Sequence, residues 1–272
     1  QQELNQFKEK MTTEGYSDET ITGYIKILKR LKPTELNTTG IEAIKQTIAT
    51  KKWSDGTKRK AVNAVKLYFK FHGITVKMPT YKPQDKIPFI PTENEIDQLI
   101  SGCYRQMATF LQTLKETFAD PGEALKLRWI DLTGNIISIR PVKGHSPRQL
   151  TVSNKLIAML NNLPRTDERI FPTTYTIMNR IFWRMKKRVA NTLENPRLKT
   201  ITFNTFRHWG ATMTYHQTRN LLLVKKILGH KRIDSTMKYT QLVCLKEDEY
   251  EVTAATTIEE DQELLKAGFE YV

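Results

Sequence analysis

Val76-Lys-Met-Pro-Thr-Tyr-Lys-Pro-Gln-Asp-Lys-Ile-Pro-Phe-Ile-Pro91 carries four prolines and three lysines. Proline fixes φ and disfavours helix at the residue before it, so 76–91 reads as an extended basic linker. It divides the 272-residue chain into a small part, 1–75, and a larger one, 92–250, followed by an acidic tail, 251–272. Upstream, the small part reads as helices broken by short polar turns. Ile21, Tyr24, Ile25, Ile27, Leu28 and Leu31 recur at helical spacing behind Ser17, a good N-cap residue. A second helix covers 41–48 after Thr39-Gly40. A third starts near Ser54-Asp55, carries Ala61, Val62, Val65, Leu67, Tyr68 and Phe71, and ends at Gly73. Its other face presents Lys58, Arg59, Lys60, Lys66 and Lys70, and Lys82 follows in the linker.

Downstream, Thr92-Glu-Asn-Glu95 is a capping box ahead of a helix through Leu99 and Ile100. Residues 135–142 alternate polar and apolar around Ile137 and Ile139. The turn Lys143-Gly-His-Ser-Pro-Arg148 follows, with 149–152 as the return strand. Helices resume over 154–162 and 176–192, the latter interleaving Arg180, Arg184, Lys186, Lys187 and Arg188 with Phe182 and Trp183. The expected fold class is mainly α with a small β-hairpin, an α+β arrangement of a helical domain and a larger mixed domain.

The charge names the kind of partner. Lys and Arg total 43 against 29 acidic residues, a net +14. From Lys246 onward there are nine acidic residues and two lysines, so the rest of the chain holds 41 basic against 20 acidic, a net +21. Such an excess repels itself unless a polyanion offsets it, and nucleic acid is the common one. With 39% hydrophobic and 26% charged residues, the composition supports a packed core and excludes wholesale disorder. No stretch approaches the roughly 18 uninterrupted apolar residues of a membrane span, and no signal-peptide pattern opens the chain. The first residue is Gln1 rather than Met, so the native N-terminus is expected upstream. Cys103 and Cys244 form neither a disulfide framework nor a metal site, which points to a reducing, cytoplasmic setting.

Three further motifs stand in order. Thr202-Phe-Asn-Thr-Phe-Arg207-His208-Trp209 is followed by Ile227-Leu-Gly-His230 and by Ser235-Thr-Met-Lys-Tyr239. Together they resemble the tyrosine recombinase (phage integrase) family, whose C-terminal half reads H-x-x-R-H, then L-G-H, then Y nine residues on. Upstream, Pro121-Gly-Glu-Ala-Leu-Lys-Leu-Arg-Trp-Ile-Asp131 is similar to the family's R-x-x-E-x-x-x-L-x-W-x-D box, and Lys143 matches its hairpin lysine. The ending Lys-Ala-Gly-Phe-Glu-Tyr-Val272 resembles archaeal members. The resemblance covers essentially the whole chain. It implies a helical core-binding domain and a catalytic domain closing as a C-shaped clamp on double-stranded DNA, and strand cleavage and rejoining through a 3′-phosphotyrosyl bond. It also implies four protomers on two DNA sites, assembled from a free monomer or dimer, in the cytoplasm at the nucleoid. The tasks it implies are integration or excision of a mobile element or resolution of chromosome dimers, and the sequence leaves the choice open.

The chemistry explains why these residue types are needed. A tyrosine that displaces a 5′-hydroxyl stores the phosphodiester energy in a phosphotyrosyl bond. Tyrosine, with a pKa of about 10, is a poor nucleophile at neutral pH, and the transition state concentrates negative charge on the phosphate. Tyr239 is therefore the expected nucleophile, with Arg207 as a two-pronged donor to the phosphate and His230 as a further donor. Lys143 would protonate the leaving oxygen. Lys58, Arg59, Lys66, Lys82, Arg148, Arg184 and Lys187 are the expected DNA contacts. The scheme needs no cofactor and no metal. His208 and Trp209 are expected to pack behind the site.

Two positions depart from the family. Its first arginine falls on Asp120, in Thr117-Phe-Ala-Asp-Pro-Gly-Glu123, where members usually read Thr-Gly-x-Arg. That places a negative charge near the scissile phosphate, and loss of one such donor typically costs about 10² to 10³ in rate. Asn204 stands in the His position of H-x-x-R; it donates a hydrogen bond but cannot shuttle a proton. Three explanations of Asp120 stay open. Arg148, or the more exposed Arg128, supplies the charge; or the chain is an impaired relative that binds DNA as an accessory protein; or the substitution was introduced or reflects decay. A type IB topoisomerase shares the tyrosine chemistry, but the short chain and the core-binding domain argue against it.

Overall fold

The computed structural model describes residues 2–33, 37–83, 87–142 and 144–240. The chain divides into two compact units, Gln1–Lys86 and Ile87–Val272.

The first unit is four helices: α1 (Gln2–Thr13), α2 (Asp18–Leu31), α3 (Thr38–Thr50) and α4 (Asp55–Phe71). Ser17, Asn37 and Ser54 each accept a backbone N–H of the helix they precede, which fixes where α2, α3 and α4 begin. Helix α1 is unannounced in the sequence. Only Phe7 and Met11 of it are buried, too few for a periodic signal. They are enough to close the unit, because Phe7 meets Tyr68 edge-on at 5.2 Å and Phe71 at 5.6 Å. Val65, Tyr68, Phe69, Ile21, Leu28 and Ile48 complete this core. Residues 74–83 and 87–92 form neither helix nor strand, and within the first stretch Met78 is buried in the first unit's core.

The second unit opens with α5 (Glu93–Ser101), whose Thr92–Glu95 capping box is complete. Helix α6 (Arg105–Thr117) follows, a helix additional to those expected from the sequence. Its apolar Met107, Phe110, Leu111 and Leu114 recur at i, i+3, i+4 and i+7, and the polar Thr109, Gln112 and Thr113 between them are buried as well. Phe110 meets Phe171 at 5.1 Å and Phe203 at 5.2 Å, and Phe182 stacks on Phe203 at 4.5 Å. After the short α7 (Pro121–Ala124) comes an antiparallel sheet, β1 (Leu132–Thr133), β2 (Ile136–Ile139) and β3 (Arg148–Thr151), in the order β1-β2-β3. The expected two-stranded hairpin over 135–142 and 149–152 is thus corrected to three shorter strands. Pro141 lacks the N–H a longer ladder would use, and β1 has only two residues. Ile137 pairs with Leu150 and Ile139 with Arg148. Helices α8 (Asn154–Asn161), α9 (Tyr175–Thr192), α10 (Phe203–Thr218), α11 (Leu221–Leu228) and α12 (Asp234–Met237) complete the unit. Mainly helical with one small sheet, the chain has the expected fold class. Among the described residues no helix is long and apolar enough to cross a membrane.

Candidate active site

Helix α10 positions Arg207, which is only 7% exposed. Its Nη1 donates to the Phe118 carbonyl and its Nη2 to the Leu228 carbonyl, both at 2.6 Å. Arg207 thereby ties the end of α6 to the end of α11 and keeps three of its five N–H groups for other acceptors. Burial and the Arg148 charge shift its pKa downward, opposed by Glu123, Tyr239 and Asp120. The Phe118 carbonyl points this way because Phe118 adopts left-handed backbone, φ +49°, at the C-cap of α6. This is the position at which the family usually has glycine. Its ring packs so closely on α10 that a Cβ on Gly210 would lie 2.1 Å from the ring carbons. Gly210→Ala is therefore expected to cost about 1–3 kcal/mol in denaturant unfolding. It should also weaken the Arg207–Phe118 contact.

Gly229, left-handed at φ +68°, ends α11 and turns the chain into His230. His230 Nδ1 lies 2.9 Å from the buried Thr236 hydroxyl. Burial first, then the charges of Arg207, His145, Lys238 and Arg148, pushes the imidazole down to about 4. Tyr239 follows α12 and is 1% exposed, packed with Ala211, Val224 and Leu228. Burial pushes its phenol up to about 12, and the Arg207 charge pulls the other way. The Lys238 ammonium stands 5.0 Å from the Tyr239 ring centre.

His208 corrects an expectation. Trp209 does pack into the core, but His208 faces the site, with Nδ1 3.1 Å from the Tyr239 hydroxyl. Adjacent helix residues diverge by about 100°, so the sequence gives no means of telling which of the two turns inward.

A second cluster surrounds Glu123, whose side chain is 0% exposed. Arg148 donates from Nη2 to Oε2 at 2.7 Å, His145 from Nδ1 to Oε1 at 2.7 Å, and the Asp120 N–H to Oε2 at 3.0 Å. Burial alone would raise this carboxyl; Arg148, with His145 and the Asp120 N–H, holds it below its ordinary range. Arg148 is accordingly buried rather than presented as a surface DNA contact, and its Nε has no hydrogen-bond partner. It is close enough to affect the titration of both Arg207 and His230. Asp120 is turned onto its own helix, where Oδ1 accepts the Gly122 N–H at 2.9 Å. Arg128 is partly buried, not exposed, and faces Asp131 and Glu168.

The other expected residues scatter. Asn204 is exposed on the first turn of α10, and Lys143, Cys244 and the tail 251–272 lie outside the described residues. Arg59, Lys66, Lys82, Arg184 and Lys187 are exposed. Lys58 is instead partly buried, donating to the Ala49 carbonyl at 2.9 Å. On α9, Lys186 is buried against the Ile201 carbonyl at 2.6 Å and Arg188 is bonded to Tyr104 and Gly102. Arg180, Arg184 and Lys187 remain beside the exposed Trp183. Among the described residues no group of His, Cys, Asp and Glu has the makings of a metal site.

Residues 91–244 match the model of the phage integrase family. A tyrosine recombinase XerA of Saccharolobus solfataricus is 26% identical over 193 residues, which cover 69% of this chain and 64% of that protein, under two thirds of its length. A second XerA, from Pyrococcus horikoshii, is 22% identical over 88% of each chain. Among solved structures, a lambda integrase bound to DNA aligns with a TM-score of 0.68 at 14% identity, over 93% of this chain and 99% of that one. At that identity the likeness concerns the fold.

Proposed function

The chain belongs to the phage integrase family, and from that premise we propose that it breaks and rejoins DNA at a specific site through a phosphotyrosyl bond on Tyr239. The observation that carries this reading is convergence. Arg207 bridges the carbonyls of Phe118 and Leu228, and Tyr239 shares a buried cluster with Leu228, with the Arg207 charge acting on its phenol. In the forward step the Tyr239 oxygen bonds to phosphorus and the P–O5′ bond breaks. The phenolic proton leaves with a base, and the 5′-oxygen takes one from Lys143. Attack by a 5′-hydroxyl reverses the sequence, so no external energy source is consumed.

Arg207 and His230 stabilise the charge on the phosphate oxygens, and Asn204 in the family's His position contributes at most a hydrogen bond. Arg148 supplies the positive charge that Asp120 does not. Support for this comes from its burial beside Glu123 and its influence on Arg207 and His230. Arg59, Lys66, Lys82, Arg184 and Lys187 hold the duplex backbone, which makes affinity strongly salt-dependent. Four protomers on two duplexes, in the cytoplasm at the nucleoid, complete the reading; integration, excision and dimer resolution are the tasks it fits. A second reading, an accessory protein that binds DNA without cutting it, rests on Asp120.

The test is covalent trapping on a nicked duplex carrying the element's own junction sequence, followed by peptide mapping. A nucleotide-linked peptide containing Tyr239 is the expected result. An adduct that forms only with Asp120→Arg would favour the accessory reading, and attachment at another residue would overturn the assignment of Tyr239.

A further inference from the structure

We propose that His208 is the general base that takes the phenolic proton of Tyr239. The inference deepens the reading of Tyr239 as nucleophile and rests on it. Two independent observations carry it. Asn204, in the position where the family has a histidine, cannot hold a proton and lies exposed on α10. His208, one turn further along the same helix, places Nδ1 3.1 Å from the Tyr239 hydroxyl, within proton-transfer reach. With Nε2 carrying the ring proton, Nδ1 accepts from the phenol. As the oxygen–phosphorus bond forms, the proton passes to Nδ1 and the ring becomes imidazolium. It returns to Tyr239 when the 5′-hydroxyl displaces the phenolate and the strand is rejoined.

The charges around the ring add a condition. Burial first, then Lys238 and Arg207, pushes His208 down to about 4 in the free protein, where it is a weak base. A DNA phosphate seated on Arg207 brings negative charge that offsets both cations. His208 thus gains basicity only with DNA in place, and the free enzyme keeps its nucleophile protonated.

The experiment has two arms. In the first, covalent complex formation on the nicked duplex is timed from pH 6 to pH 9 for the native chain, His208→Ala and His208→Gln. The native rate should be nearly level. His208→Ala should fall by about 10²–10⁴-fold at pH 7, rise about tenfold per pH unit, and recover with added imidazole. His208→Gln keeps an acceptor for the hydroxyl but holds no proton, and should stay slow. A glutamine variant as fast as the native chain, or an alanine variant neither pH-dependent nor rescued, would overturn the proposal in favour of mere placement of the ring.

In the second arm, the His208 titration is followed by NMR with and without an uncut duplex. A midpoint near pH 4 that rises by at least one unit on DNA supports the proposal; a midpoint unmoved by DNA, or a ring protonated on Nδ1 when neutral, overturns it. Absence of any adduct with the native chain would sink the recombinase reading and the base role that rests on it, whereas a native adduct with an equally fast glutamine variant, or a midpoint unmoved by DNA, would overturn His208 alone.

Discussion

Arg207→Lys is expected to reduce covalent complex formation by at least about 10²–10³-fold while leaving DNA affinity nearly intact. The reason lies in how the guanidinium is divided. Two of its five N–H groups are spent on the Phe118 and Leu228 carbonyls at 2.6 Å, and the rest are held at fixed angles beside Tyr239. An ammonium has three donors around one nitrogen. It cannot reach two carbonyls on different elements and still present a two-pronged face to a phosphate. At least one carbonyl would lose its partner in a buried site, a cost of about 1–3 kcal/mol. Affinity should survive if, as proposed, the exposed cations of α4 and α9 rather than Arg207 hold the duplex backbone. The outcome is checked by timing adduct formation, by a binding titration at several salt concentrations, and by thermal unfolding of the same preparation. A lysine variant that forms adduct within tenfold of the native rate would show that Arg207 serves mainly to join α6 to α11.

What the sequence discloses and what it withholds follow from the range of the interactions. Helices α2, α4 and α5 begin where Ser17, Ser54 and Thr92 stand, because an N-cap is satisfied within three residues. Helix α6 gives no such sign. Its N-cap, Tyr104, makes no side-chain bond, so only the helical spacing of Met107, Phe110, Leu111 and Leu114 marks it. Arg207, His230 and Tyr239 are readable because one family spaces them in a set order. The partners of those residues are not. Glu123 and Arg148 stand 25 residues apart and meet only because α7 and β3 are brought side by side. Asp120 reads as a repulsive charge in the sequence, whereas in the fold its carboxylate caps α7, although its charge still reaches Arg207. His208 is visible as a letter beside Arg207, but its direction depends on the rotation of α10 against Tyr239.

The Glu123–Arg148 pair separates what stabilises the fold from what serves the chemistry. Arg148→Met is expected to destabilise the protein by about 3–5 kcal/mol near neutral pH, since it strands a buried carboxylate. The pH dependence should also reverse. In the native chain Glu123 titrates below its ordinary range, so the pair's contribution is present above the unfolded carboxyl pKa and lost as pH falls through the lower, folded one. Without Arg148, burial dominates and the folded pKa rises above the unfolded value. The variant's deficit should then be smallest in mild acid, with Glu123 neutral, and grow as pH rises through that raised pKa. Denaturant midpoints measured from pH 4 to pH 8 for both chains test the sign directly. Pairing Arg148→Met with Glu123→Gln removes both charges and should recover most of the stability, because a matched neutral pair leaves no uncompensated ion. If Arg148 also supplies the charge missing at Asp120, that double variant should fold well and still fail to cleave. Adding Asp120→Arg to it should then restore cleavage. A double variant that is stable and fully active would assign Arg148 to the scaffold alone.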